Sequence, residues 1–177
     1  MIYDTPSKGE DGLYFVKATN DDKKKCFVQV NRVGNVSLSG ENTEVTLNLL
    51  TENNVKKITD VDDLNITAAV ENAASWFGKN LTEDVIRAAY TSSLVNDQFT
   101  CERIVQTRVF SSNLEVVDVS TVTPENTCTT ILEFAGLWFA KKAFGPVWNL
   151  VQVKVFDDPV VEEAYPEDYI IRDEDEQ

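Results

Sequence analysis

The order of hydrophobic patterns along the chain predicts strands, then helices, then strands again. Alternating aromatic and β-branched residues predict early strands at 12–17, 26–33 and 45–51, and a weaker strand is predicted between the turn at Gly34-Asn35 and about Ser39. Apolar residues near i, i+3, i+4 spacing then predict a helix over 64–77 that ends at Gly78. A second helix is predicted to start at Thr82, with acids in its first turn.

Four further strands are predicted after the helices, at 99–110, 114–119, 130–140 and 147–156. Helices grouped in the middle of an antiparallel set of strands indicate an α+β or β-barrel-like domain rather than a doubly wound sheet. No Gly/Ser-rich linker interrupts the pattern. We therefore expect one domain over residues 1–156 and a separate C-terminal tail over 157–177.

The charge of the chain is concentrated in that tail. The 177 residues have a formal net charge of −14, with 16 Lys+Arg and 30 Asp+Glu. Residues 157–177 contain ten acids and one base, Arg172, so they carry −9 and leave −5 for the rest. The body is therefore only mildly acidic, and its charge does not exclude a polyanionic partner.

The residue inventory argues against an enzyme. The chain has no histidine, which excludes imidazole bases and His-built metal sites. Its three cysteines are far apart, and no glycine-rich phosphate loop or GxSxG elbow occurs. We expect no cofactor and no metal. A metal-dependent enzyme using Asp60, Asp62 and Asp63 is a remote alternative, because acids at a helix start are explained by the helix dipole.

The N-terminal segment is polar and lacks the apolar stretch of a signal peptide. No segment approaches the roughly 20 apolar residues that a membrane helix needs. We expect a soluble, intracellular protein without a membrane partner.

The segment with the most unusual chemistry is a predicted hairpin over 132–156, whose tip carries two lysines among large aromatic residues. Aromatic rings that stack on bases, beside ammonium groups that meet phosphates, are what a single-stranded nucleic-acid surface needs. Strict alternation would put Trp138 on the face of Phe134, and Trp148 on the face of Leu150 and Lys154. At least half of the aromatic side chains of the hairpin must therefore lie in the core. The candidate binding residues are Trp138, Lys141, Lys142, Phe144, Trp148, Lys154, Arg103 and Arg108.

Two stretches, ENAASWFGKNLTEDVIRAAYTSSL (71–94) and GLWFAKKAFGPVWNLVQVKV (136–155), resemble small proteins of large nucleocytoplasmic DNA viruses. The resemblance implies an OB-like β-barrel, with two helices inserted between strands, that binds single-stranded DNA. The acidic tail is similar to those of phage and bacterial single-strand-binding proteins, which recruit replication partners and compete with DNA. Here the tail ends in Asp-Glu-Asp-Glu-Gln, without a hydrophobic tip.

Together these observations predict a non-enzymatic single-stranded DNA-binding protein acting in viral DNA replication, recombination or repair. It is expected in the host cytoplasm or nucleus, at the virus factory. Its expected partners are single-stranded DNA, replication proteins that bind the tail, and further copies of the chain. The alternative is a virion structural or adaptor protein without nucleic-acid binding, which the net acidity and the lack of a catalytic set also fit.

Overall fold

The computed structural model describes residues 1–38 and 41–156, so the acidic tail predicted over 157–177 lies outside the described residues. The strands are β1 (Ile2–Tyr3), β2 (Ser7–Lys8), β3 (Tyr14–Thr19), β4 (Cys26–Gly34), β5 (Glu44–Leu49), β6 (Leu94–Val95), β7 (Gln98–Phe110), β8 (Val116–Val117), β9 (Cys128–Phe139) and β10 (Phe144–Val155). The helices are α1 (Glu52–Glu71), α2 (Ala73–Phe77) and α3 (Glu83–Ala89), with a short 3₁₀ turn at Val119–Thr121.

Five of the strands form a closed ring in the order β9-β10-β7-β5-β4, with β4 pairing back onto β9. The pairings are antiparallel except that of β10 with β7, which is parallel and departs from the fully antiparallel set expected. β3 extends the ring by pairing with the part of β9 beyond β4. This mostly antiparallel sheet with helices between its strands fits the OB-like α+β fold expected from the sequence.

The described residues contain three helices, where the sequence predicted two. α1 begins ten residues before Asp62, because the side chain of Thr51 caps it by accepting a hydrogen bond from the Asn54 N–H at 3.2 Å. The predicted first helix is interrupted at Asn72, whose φ of −108° and ψ of 17° leave the helical region. The predicted start of the next helix at Thr82 is confirmed, since Thr82 is the N-cap of α3.

Two β-bulges interrupt the hairpin of β9 and β10. The pairing of β9 with β10 shifts between Val147 and Trp148, next to Gly136, and again between Leu150 and Gln152. A bulge adds one unpaired residue, so every later side chain changes face. Gly136 has a φ of 147°, and a Cβ at that position would lie 2.0 Å from the Val16 carbonyl oxygen. The first bulge therefore depends on glycine.

A buried polar network joins α1 to the segment after α3. The Asp62 carboxylate accepts hydrogen bonds from the Tyr90 hydroxyl and, at 2.6 Å, from Ser92 Oγ. Asn65 donates to the Tyr90 oxygen at 3.0 Å and accepts from the Tyr3 hydroxyl at 2.7 Å. Burial raises the pKa of Asp62, while the bonds from Ser92 and Tyr90 favour its ionised form and limit that rise.

Replacement of Gly136 tests the first bulge. Gly136→Ala is expected to lower the free energy of unfolding by about 2–4 kcal/mol, because the methyl group meets the Val16 carbonyl at a strained φ. Gly34→Ala is the matched control, since its added Cβ would lie 3.5 Å from the Leu50 side chain, an ordinary contact. Chemical denaturation measures both, and equal losses would contradict a specific role for Gly136.

The network predicts a pH-dependent effect of Tyr90→Phe. Because Tyr90 donates to ionised Asp62, the variant should lose about 1.5–3 kcal/mol of unfolding free energy near pH 7. The loss should shrink as the pH falls through the raised pKa of Asp62, since the protonated carboxyl gains less from that donor.

Tyr3→Phe is the control for this measurement, because it removes a hydrogen bond to the neutral Asn65 side chain. Its loss should be nearly the same near pH 7 and near pH 4. A loss for Tyr90→Phe that is equally independent of pH would show that the charge of Asp62 is not what Tyr90 stabilises.

Candidate functional site

Two of the predicted binding residues are core residues. Phe144 is fully buried and Trp148 is 2% exposed. The Phe144 ring stacks on Phe139 at 5.4 Å between centroids, and the Trp148 ring packs against Phe99 at 5.4 Å. Neither ring offers a face to a nucleic-acid base, so the prediction that these two rings stack on bases is wrong.

The bulges explain which faces the neighbouring aromatic side chains occupy. After the shift at Gly136, Leu137 and Phe139 face the core together with Phe134, and Trp138 lies on the opposite face. Trp138 is half-buried, with its ring over Gly145, where an added Cβ would lie 3.0 Å from Trp138 Cζ2. The expectation that Trp138 shares a face with Phe134 is therefore wrong.

The predicted basic residues do not form one cluster. Lys141 and Lys142 are exposed at the hairpin tip, where they border a depression of about 300 Å³ lined by α2 and α3. Lys154 is near the other end of β10, about 30 Å from Trp138 along the pairing with β9. Its ammonium lies 5.6 Å from the centroid of the Phe156 ring. It also lies on the face opposite Trp148, since the second bulge reverses the expected alternation.

The two arginines of β7 bind backbone carbonyls. The Arg103 guanidinium donates to the Leu38 carbonyl and is half-buried. The Arg108 guanidinium donates to the Val105 carbonyl at 3.0 Å and to the Thr107 carbonyl at 3.1 Å, while remaining exposed. Arg103 thus joins β7 to the segment after β4, whereas Arg108 binds carbonyls of β7 itself.

The structure brings a different aromatic set together on the outer side of the sheet. Phe15 on β3 is directly opposite Trp138 on β9, and Phe27 on β4 is directly opposite Glu133. Phe15 is half-buried, with its ring over Gly136, and Phe27 is 55% exposed. From Glu133 to Trp138 this surface extends about 16 Å along β9. We call it the outer face; its residues are Phe15, Lys17, Lys23, Lys25, Phe27, Glu133, Ala135 and Trp138.

Three lysines border a depression of about 300 Å³ in the outer face, next to Phe15. Lys17 projects from β3, while Lys23 and Lys25 belong to the loop between β3 and β4. Among the described residues, no ion pair involves the ammonium group of Lys17 or Lys23. Lys25 Nζ lies 3.4 Å from a Glu133 carboxylate oxygen. The lining therefore carries three positive charges and one negative charge.

The loop that carries Lys23 and Lys25 is ordered by its own hydrogen bonds. Asn20 Oδ1 accepts from the backbone N–H groups of Asp22 at 2.9 Å and Lys24 at 3.0 Å. Lys23 adopts a left-handed conformation with a φ of 63°. The Asp21 carboxylate pairs with the N-terminal ammonium of Met1 at 2.6 Å. These contacts fix the lysines beside the aromatic rings.

The described residues provide no group of three or more acidic or cysteine side chains that could hold a metal ion. Asp62 is engaged by Tyr90 and Ser92, and Asp60 pairs with Lys56 at 2.8 Å. Burial raises the pKa of the Cys101 thiol. None of the described helices is both long and apolar enough to cross a membrane.

Sequence reasoning missed Phe15, Phe27 and Lys17 as site residues, although a signal for them was present. In the predicted strand 26–33, Phe27 stands between the apolar Cys26 and Val28, so alternation places it on the outer side. An isolated glycine inside a predicted strand, as at Gly136, indicates a bulge and would have separated Trp138 from Phe134.

Several solved structures are similar to this chain, including three of one bacteriophage protein. These three are the single-stranded DNA-binding protein of bacteriophage Enc34 (TM-score 0.49, 13% identity, 88% of this chain and 89% of that one), its C-terminal truncation (TM-score 0.50, 12% identity, 88% and 95%) and its complex with single-stranded DNA (TM-score 0.48, 12% identity, 88% and 96%). At this identity, the match of 0.50 shows a shared fold alone.

The resemblance to proteins of large nucleocytoplasmic DNA viruses stays a prediction, since none of these matches concerns such viruses. No curated protein matches the sequence. Residues 31–173 match a family described as a family of unknown function, DUF5871. That match spans more than half of the chain, and the chain therefore belongs to this family.

Proposed function

We propose that this protein binds single-stranded DNA without catalysing a reaction, and that the outer face is its binding surface. The observation that carries the proposal is that Phe15, Phe27 and Trp138 lie on the same side of the sheet as a depression, and that Phe15 and three lysines line this depression. Base stacking on aromatic rings contributes about 1–3 kcal/mol per base, and lysines along the same surface meet the phosphates. The shared fold with a protein described as a single-stranded DNA-binding protein supports the same function.

The net negative charge of the described domain is compatible with DNA binding at this surface. Residues 1–156 carry −5, which disfavours a polyanion at long range. At 0.15 M salt, however, charges further than about 8 Å away are largely screened. A phosphate at the depression therefore meets mainly the charges that line it, those of Lys17, Lys23, Lys25 and Glu133, and those of the adjacent loop, where Asp22 precedes Lys23.

We extend the proposal to the role of the protein in viral DNA replication, recombination or repair. The acidic segment 157–177 carries −9 and would then bind basic surfaces of replication proteins. In this assignment the other predicted basic residues make only peripheral contacts with DNA, because they lie beyond the outer face. These residues are Lys141, Lys142, Lys154, Arg103 and Arg108.

Removal of one exposed ring tests the stacking contribution. Phe27→Ala should weaken binding of a fluorescently labelled single-stranded oligonucleotide by about 5- to 100-fold, because a base loses its stacking partner. Leu64→Ala is the control, since Leu64 is comparably exposed but lies on α1. Fluorescence anisotropy gives both affinities. Equal affinities for the two variants would remove Phe27 from the interface.

The salt dependence of binding distinguishes the outer face from the hairpin tip. The slope of log K against log salt is negative for a protein that binds phosphates. Replacement of Lys17 and Lys23 by glutamine should make this slope less steep, by about 1.4, because two phosphate contacts are lost. The matched variant replaces Lys141 and Lys142 by glutamine and should change the slope less. The opposite order would place the interface at the hairpin tip, and no measurable binding by the unmodified protein at low salt would overturn the proposed function.

A further inference from the structure

Glu133 is the only carboxylate that lines the depression of the outer face, as far as the described residues show. Its side chain is 11% exposed. One carboxylate oxygen accepts a hydrogen bond from Asn149 Nδ2 at 3.0 Å, and the other lies 3.4 Å from Lys25 Nζ. These two contacts orient the carboxylate, and the other side chains that line the depression are those of three lysines, Phe15, Thr19 and two alanines.

The strand register places this carboxylate beside an exposed ring. Phe27 is the direct partner of Glu133 on β4, and directly opposed side chains of an antiparallel pair have Cβ atoms about 4.5–5.5 Å apart. A base that stacks on Phe27 therefore brings its edge within reach of Glu133. A carboxylate in that position is poorly placed for phosphate, since it repels the anion, but it can bind a hydrogen-bond donor.

The bases differ in what they offer such a group. An ionised carboxylate only accepts hydrogen bonds, and each of its oxygens has lone pairs beyond those used by one partner. Cytosine presents its N4 amino group as a donor, and Glu and Asp are its usual carboxylate acceptors. Thymine carries the O4 carbonyl at the equivalent position, and that acceptor would face the carboxylate.

We infer that Glu133 makes the outer face prefer cytosine to thymine, by accepting a hydrogen bond from the cytosine amino group. This inference rests on the proposed function and adds a base preference to it. The two pyrimidines have nearly the same stacking area, so the carboxylate and not Phe27 would separate them.

The test compares oligo-dC with oligo-dT of equal length, at the same salt concentration and neutral pH. The unmodified protein should bind oligo-dC about 5- to 10-fold more tightly. In Glu133→Gln the amide can present either its oxygen or its amino group. The preference should then fall to about twofold or less, while affinity for both oligonucleotides rises because a negative charge is lost.

Asp60→Asn is the matched control. Asp60 pairs with Lys56 on α1 at 2.8 Å, outside the outer face. Its replacement should leave the ratio of the two affinities unchanged. Thermal unfolding of each variant identifies any loss of the folded state, and Glu133→Asp, which keeps the charge on a shorter side chain, should keep part of the preference.

The outcomes separate this inference from the proposed function. Equal binding of oligo-dC and oligo-dT by the unmodified protein would overturn the base preference alone. If the preference for cytosine persists in Glu133→Gln, another residue is responsible for it, and the inference is overturned. Binding of neither oligonucleotide would overturn the proposed function together with the base preference.

Discussion

The close approach of Gly136 to the Val16 carbonyl determines which aromatic side chains the sheet buries. β9 pairs with β10 along one edge and with β4 and β3 along the other, so its register affects most of the ring. A side chain at position 136 would separate β9 from β3. Because the adjacent bulge reverses the alternation, Phe139 joins the core and Trp138 reaches the outer face.

The hairpin of β9 and β10 therefore packs against aromatic residues on both sides of the sheet. On its inner side, Phe134, Trp148 and Phe99 pack edge-on or tilted, at centroid distances of 5.3–5.4 Å. On its outer side, Phe15 and Trp138 pack over glycines, which leaves part of each ring accessible. Aromatic residues near lysines in a sequence thus do not define a binding surface until the register of the strands is known.

The sequence predicts where strands and helices lie better than it predicts which side of the sheet each side chain occupies. Strands β3, β4, β5, β7, β9 and β10 lie where alternation placed them, because a half-buried strand needs that pattern. The pattern does not predict the start of α1, since the capping residue Thr51 falls inside the predicted strand 45–51 and the apolar stripe of α1 is sparse. Phe144 and Trp148 share the buried face of Leu150 on β10, and the composition of the hairpin tip does not reveal that this face is the inner one.

Acidity of the chain and binding of a polyanion are compatible when the charges are separated in space. Much of the negative charge, −9 of −14, belongs to residues 157–177. In the described part of the chain, several acids are neutralised by a near neighbour: Asp60 by Lys56, Glu83 by Arg87, and Asp21 by the N-terminal ammonium. Glu133 differs from these because it lies inside the lysine-lined depression, where its charge opposes phosphate binding. If the outer face binds single-stranded DNA as proposed, a carboxylate oriented there by Asn149 and Lys25 would select a base edge rather than add to affinity for the DNA backbone.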